Sequence, residues 1–246
     1  MTKLYAIPVS HPCMSAQLML DHKGIEYNRV DLMVGLHSLT LRIKGFPRGF
    51  TPALRLDGDH LQGTREISRG LDRANPDPPL FPTDTEMRKR VEEAERFGEE
   101  VLQMLARRLV IACVKHGGGE FNFSYGATPS RRAMRSMQLP GGITYLTFRY
   151  GAKDAVAQSD LIALPRILEA LDDWIEEGVL NGDELNAADF QIAPSLQLLL
   201  SFDDFAPAME RRPLAALAER VAPPYPMKVR PVLPSVWLAP LRETAP

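Results

Sequence analysis

The sequence predicts an α+β unit followed by an all-α domain. Over the first 75 residues, short strand-length apolar runs alternate with helical patterns; a proline cluster follows; beyond it the clear apolar periodicities run at three and four residues.

The N-terminal unit reads in order as βαβ, then αββα. A strand near Lys3 to Ile7 precedes Ser10-His11-Pro12-Cys13, and a helix runs from about Met14 to His22, ended by Lys23-Gly24. A second strand lies near Glu26 to Asp31 and a helix around His37 to Ile43. Pro52 to Leu56 and His60 to Gln62 flank Asp57-Gly58-Asp59, the signature of an Asp-Gly hairpin. A helix from about Thr64 to Arg73 closes the unit, which spans residues 1–75.

Asn75-Pro76-Asp77-Pro78-Pro79 with Pro82 can continue neither a helix nor a central strand, so residues 76–84 read as a linker. Thr83 and Glu86 have capping-box spacing, and Met87, Val91, Ala94, Gly98, Val101, Leu105 and Leu109 then mark one long amphipathic helix. A second helix is expected from Asp160 to Glu177. A core helix follows Asn186-Ala187-Ala188-Asp189, an N-cap with a carboxylate three residues on. Between these, residues 116–154 predict a helix from about Arg131 and an irregular excursion, with the Gly117-Gly118-Gly119 turn, the aromatics Phe121, Phe123 and Tyr125, and Pro140-Gly141-Gly142. The all-helical domain covers residues 85–221. The proline-rich tail, 222–246, is expected to be extended and packed over another surface.

Composition excludes several function classes. A net charge of −2 offers no global attraction to nucleic acid or anionic lipid, and the clusters Arg88-Lys89-Arg90 and Arg131-Arg132 with Arg135 read as helix surfaces. The longest uncharged apolar run, Leu109 to Val114, is far below the roughly 20 residues a membrane helix needs. The apolar start breaks at Pro8, too early for a signal-peptide core, and the two cysteines, Cys13 and Cys113, imply no disulfide framework. A cytoplasmic location is expected, with no nucleic-acid or membrane partner. No histidine pairs at metal-ligand spacing, so no metal is expected.

Ser10 and Cys13 open the first helix, where exposed amides favour anions, a thiolate included. A free thiol of pKa about 8.5 is only about 3% ionised at pH 7, and lowering that pKa by two units requires about 2.7 kcal/mol of preferential thiolate stabilisation. A hydroxyl and a helix N-terminus together supply that chemistry. Ser10 is equally suited to capping the helix alone.

With Ser10-x-Pro12-Cys13 at its first helix and a third strand opening at Pro52, the βαβ-αββα unit resembles a thioredoxin-like domain, in which Thr51-Pro52 would be the cis-proline. The helical domain behind a proline-rich linker, and the Asn186 to Phe190 cap, resemble the cytosolic glutathione transferases. Ser10-His11-Pro12-Cys13, and Val30-Asp31-Leu32 with Gly35 and His37, are similar to segments of the theta-like members.

The resemblance implies a glutathione transferase-like enzyme: a homodimer with glutathione as co-substrate, detoxifying a small hydrophobic electrophile or peroxide. Ser10 would hydrogen-bond the glutathione sulfur. The Thr51 backbone, before Pro52, would pair with the cysteinyl portion, His37 would meet the glycyl carboxylate, and Gly63-Thr64 the γ-glutamyl carboxylate. As alternatives, His37 is an ordinary surface histidine and Thr64 a plain N-cap. Cys13 stands either as a secondary thiol, open to a mixed disulfide with glutathione in a thiol-reductase-like enzyme, or as a small packing residue. Two charges of the family pattern are missing: Gly63 stands where the family has glutamate and Gly49 where it has lysine, with Arg48 and Arg65 as the nearest replacements. Their absence favours the rival reading, a non-catalytic binding or interaction protein on the same fold.

Overall fold

The computed structural model describes residues 1–117 and 141–243. The expected turn at Gly118-Gly119, the aromatics Phe121, Phe123 and Tyr125, and the helix and basic cluster from Arg131 lie outside the described residues.

The N-terminal unit is β1 (Lys3–Ala6), α1 (His11–His22), β2 (Asn28–Asp31), α2 (His37–Ile43), β3 (Ala53–Leu56), β4 (Asp59–Gln62) and α3 (Thr64–Ala74). Its four-stranded mixed sheet has the order β2-β1-β3-β4, with β1 parallel to β2 and β3 antiparallel to both β1 and β4. Asp57 (φ 50°) and Gly58 (φ 103°) take the left-handed conformation that a two-residue hairpin turn between β3 and β4 requires. Side chains alternate across the sheet as pleating dictates. Leu4 and Ala6 of β1 join the large core beneath α1 and α3, and Tyr5 joins Leu32, Leu41, Phe46 and Ala53 on the α2 face.

The helical part comprises α4 (Thr85–Phe97), α5 (Gln103–Gly117), α6 (Gly142–Tyr150), α7 (Asp154–Glu176), α8 (Ala187–Leu200), α9 (Pro213–Val221) and α10 (Ala239–Glu243). The long helix expected from Thr85 is interrupted by a π-helical segment at Gly98–Leu102. Gly98 faces α8 so closely that a Cβ there would stand 2.8 Å from Gln191 Cγ and Ile192 Cγ1. Its N-cap is Asp84, which accepts from the Met87 amide at 2.8 Å, rather than Thr83. Residues 142–150, expected as irregular, form α6, and α7 starts six residues before Asp160.

The Asn186–Asp189 capping box forms as the sequence predicts. Asp189, fully buried, accepts from the Asn181 and Asn186 amides at 2.7 and 2.9 Å. Burial raises its pKa to about 6, against the pull of those amides. The tail packs along the end of α8: Val229 bridges to Phe202, the Val232 and Leu233 amides donate to Asp204, and α10 rests on α7.

One apolar core runs through both parts, with α1 packed against α8 and α3. At the joint, the buried Lys23 ammonium donates to Asp72 at 2.9 Å and to the carbonyls of Asn75 and Pro78 at 2.7 and 2.5 Å. Thr51-Pro52 is cis, as expected, and Asp77-Pro78 is also cis. Among the described residues no helix is long and apolar enough to cross a membrane.

Candidate active site

A cavity of about 570 Å³ lies between the two parts. Its N-terminal wall is the β1–α1 turn with Ser10 and His11, the start of α2 with His37, Ser38 and Arg42, and the loop Gly49-Phe50-Thr51. Its helical wall is one side of α5, from Gln103 to Val114, and the exposed flank of α6 with Tyr145, Arg149 and Tyr150.

Local chemistry sets each wall. The buried Gln62 side chain of β4 fixes the loop before Pro52, accepting from the Arg48 amide at 2.7 Å and donating to the Arg48 and Phe50 carbonyls at 2.6 and 3.0 Å. Thr51 is thereby presented to the cavity. Ser10 occupies the N-cap position of α1, half-buried, and its side chain makes no capping hydrogen bond. Cys13, one turn on, is 1% exposed and receives the Ile7 amide on its sulfur at 3.4 Å. Cys113 is buried too, near Asp204, and burial pushes its thiol well up.

Of the residues singled out in the sequence, Ser10, His37 and Thr51 line the cavity together; Pro52, Gly63, Thr64 and Cys13 do not. Thr64 is 1% exposed, and its hydroxyl lies 3.4 Å from Glu99 Oε1 across the interface. Phe50 covers Gly63, with its ring 3.4 Å from the point where a Cβ would stand. At Gly49 a Cβ would overlap the Ser38 hydroxyl and lie 2.8 Å from Ser38 Cβ, so Ser38 occupies the space a lysine side chain would leave through. Arg48 is held by Glu66 and stacks over Phe50 at 4.9 Å. Arg65 faces Glu95, Glu99 and Glu100 at 3.9, 3.8 and 3.5 Å. Neither arginine lines the cavity.

The cavity's charge comes from residues the sequence reading did not single out: Arg42, Arg107 and Arg149. Arg107 lies in an otherwise apolar stripe with Met104, Val110, Ile111 and Val114, at helical spacings of −3, +3, +4 and +7. That interruption was the signal available in the sequence. His11, on α1, donates to or accepts from Ser195 of α8 through Nδ1 at 2.9 Å, while its buried Nε2 has no partner among the described residues. Burial, then Arg107, lowers the His11 pKa well below its usual value. His37 is also lowered by burial, which outweighs a hydrogen bond to the Met33 backbone, with a smaller push from Arg149. Both imidazoles are therefore neutral at pH 7.

Residues 4–79 match the family model described as glutathione S-transferase, N-terminal domain. A comparison with curated proteins finds no match. Among solved structures, a glutathione S-transferase from Rhodospirillum rubrum F11 is 19% identical over 98% of this chain and 99% of that one, with a TM-score of 0.60. Glutathione transferase F7 from Populus trichocarpa is 16% identical over 90% and 93%, with a TM-score of 0.63. A maleylacetoacetate isomerase from Anaeromyxobacter dehalogenans 2CP-1, with GSH bound in its active site, is 18% identical over 100% and 98%, with a TM-score of 0.56. At these identities the likeness establishes the fold. The N-terminal unit thus matches the glutathione S-transferase N-terminal domain, and the chain has the two-part fold that solved glutathione transferases share.

Proposed function

We propose that the chain is a glutathione transferase-like enzyme that binds glutathione along the Thr51 edge of the cavity and activates its thiol at Ser10. The observation that carries this reading is Ser10 itself: a hydroxyl at a helix N-terminus, free of capping duty, opening on a cavity beside the backbone that precedes a cis-proline. A hydroxyl donor and the first-turn amides of α1 both favour a thiolate over a thiol. The thiolate sulfur then bonds to an electrophilic carbon, and the electron pair leaves with a displaced group or settles on an activated double bond that takes up a proton. Glutathione bound to the Anaeromyxobacter isomerase supports the choice of thiol. His37 would receive the glycyl carboxylate as a neutral donor, and Cys13 is assigned to packing.

The theta-like subclass, the homodimer, the cytoplasmic location and the detoxifying role belong to the same proposal and rest on Ser10-His11-Pro12-Cys13 and the family likeness. One observation favours the rival, non-catalytic reading. Glu99 and Phe50 crowd Gly63-Thr64, where the γ-glutamyl carboxylate is expected.

Calorimetric titration with glutathione separates the two. The enzyme reading expects a dissociation constant between micromolar and low millimolar, weakened by His37→Ala. Ser10→Ala should leave affinity nearly intact but raise the bound thiol's pKa by about one unit or more, read as thiolate absorbance against pH. An unshifted pKa removes the role given to Ser10, and no binding favours the non-catalytic reading.

A further inference from the structure

The two neighbouring arginines of α5 have opposite fates. Arg108 donates to both oxygens of Asp160, at 2.7 and 2.6 Å, and this ion pair raises its pKa. Arg107 makes no ion pair among the described residues. Among the described residues its Nη1 meets only the Met104 sulfur, at 3.1 Å, and its guanidinium stacks over Tyr150 at 4.7 Å. Burial is the main cause of its lowered pKa, although a guanidinium remains charged. A half-buried cation without a counter-ion has lost hydration with little in return, and it stands on the cavity wall.

The rest of the lining deepens the imbalance. Arg42 and Arg149 add two more cations, and the described lining residues include no aspartate or glutamate. Several uncompensated positive charges in one cleft focus their field on the space between the walls. On the proposed glutathione-binding reading, on which this inference rests, the glycyl carboxylate falls to His37 and Arg42 on α2. Arg107 and Arg149 belong to the helical wall and are left for whatever reacts with the thiol.

We infer that the second substrate carries a carboxylate, and that Arg107 binds it. The planar fork of a guanidinium donates to both carboxylate oxygens, and the Tyr150 ring beneath holds that plane in place. The apolar stripe of Val110, Ile111 and Val114 alongside takes the carbon skeleton. The substrate is thus an amphipathic organic acid rather than the small hydrophobic electrophile or peroxide that the family resemblance implies.

The test uses the whole protein and two matched ligands, S-(carboxymethyl)glutathione and its neutral amide, S-(carbamoylmethyl)glutathione. The native protein should prefer the acid by about tenfold at pH 7 and low salt. Arg107→Gln should abolish that preference while leaving S-methylglutathione affinity unchanged within about twofold. Should the glutamine variant not fold, Arg107→Lys, which keeps the charge but not the fork, should cut the preference to about threefold. No preference in the native protein, or one that survives Arg107→Gln, overturns the inference. So does an equal loss for all ligands, which would assign Arg107 to glutathione itself. If no glutathione derivative binds, the proposed function fails separately, and succinate titrated alone decides. Succinate binding lost in Arg107→Gln supports a carboxylate site, and its absence overturns that too.

Discussion

The interface between the two parts has two poles of opposite chemistry. At the start of α3, Glu95, Glu99 and Glu100 of the helical part face Arg65 and Arg69, and every charge there has a partner. At the cavity, Arg42, Arg107 and Arg149 face His11, His37 and no described acid. At the first pole each charge is paired within the chain, so these charges act in assembly. The second has no acid among the described residues, and on the inference above a ligand completes it. The contrast teaches where to look for function in an interface rich in arginine: at the cations whose counter-ions the fold withholds.

The largest expected effect lies at the paired pole. Burial pushes the Glu95 carboxyl up while Ser68 and Arg69 hold it down, with Arg69 at 2.5 Å. Arg69→Leu removes the nearest compensating charge and should destabilise the protein by about 3 to 4 kcal/mol in urea unfolding. A loss below about 1 kcal/mol would mean that this pole is not structural.

Asp189 shows a buried acid held by amides instead of arginine. Its folded pKa of about 6 stands above an unfolded value near 3.9, so between those pH values the folded state binds the proton more tightly. The stability this group contributes is highest below about pH 4, falls as pH rises through about 6 and is level above. Asp189→Asn should flatten that slope, worth about 2 to 3 kcal/mol at most, in unfolding series from pH 4 to 7. An unchanged slope would place the titration elsewhere.

Glu99 sharpens the comparison, because its carboxylate sits beside Thr64 at the site expected for the γ-glutamyl carboxylate. Glu99→Gln should tighten glutathione binding by about fivefold, about 1 kcal/mol. Weaker binding would show that Glu99 serves the ligand rather than competing with it. The smallest effect is expected at the open pole: Arg107→Gln leaves no buried partner stranded and should cost less than about 1 kcal/mol of stability, from lost stacking on Tyr150.

Much of this architecture was legible in the sequence. The hairpin at Asp57-Gly58 and the cap at Asn186 are written in local signals, since turn chemistry and side-chain capping act within a few residues. The π-helical segment at Gly98 was not legible: no local signal marks it, and it packs against α8, some 90 residues later in the chain. Of the site, Ser10, His37 and Thr51 were recognised by motif and do meet at the cavity. Arg107 was not, because a charged residue in an amphipathic helix reads as solvent-facing until the facing wall is known. The spacing that placed it among Met104, Val110 and Ile111 was visible, but only the tertiary structure makes that stripe a cavity wall rather than core.

Lys23 has a consequence for how the molecule works. Its three ammonium donors are all spent on Asp72, Asn75 and Pro78, tying the end of α1 to the end of α3 and to the segment that joins the two parts. With residues 75–78 fixed in this way, any swing of one part from the other would have to expose the apolar core that α1 shares with α8, so the cleft has no inexpensive open state. Reactants therefore enter a preformed chamber, in which Arg42 and Arg149 keep their charge in contact with solvent while Ser10 is half-buried.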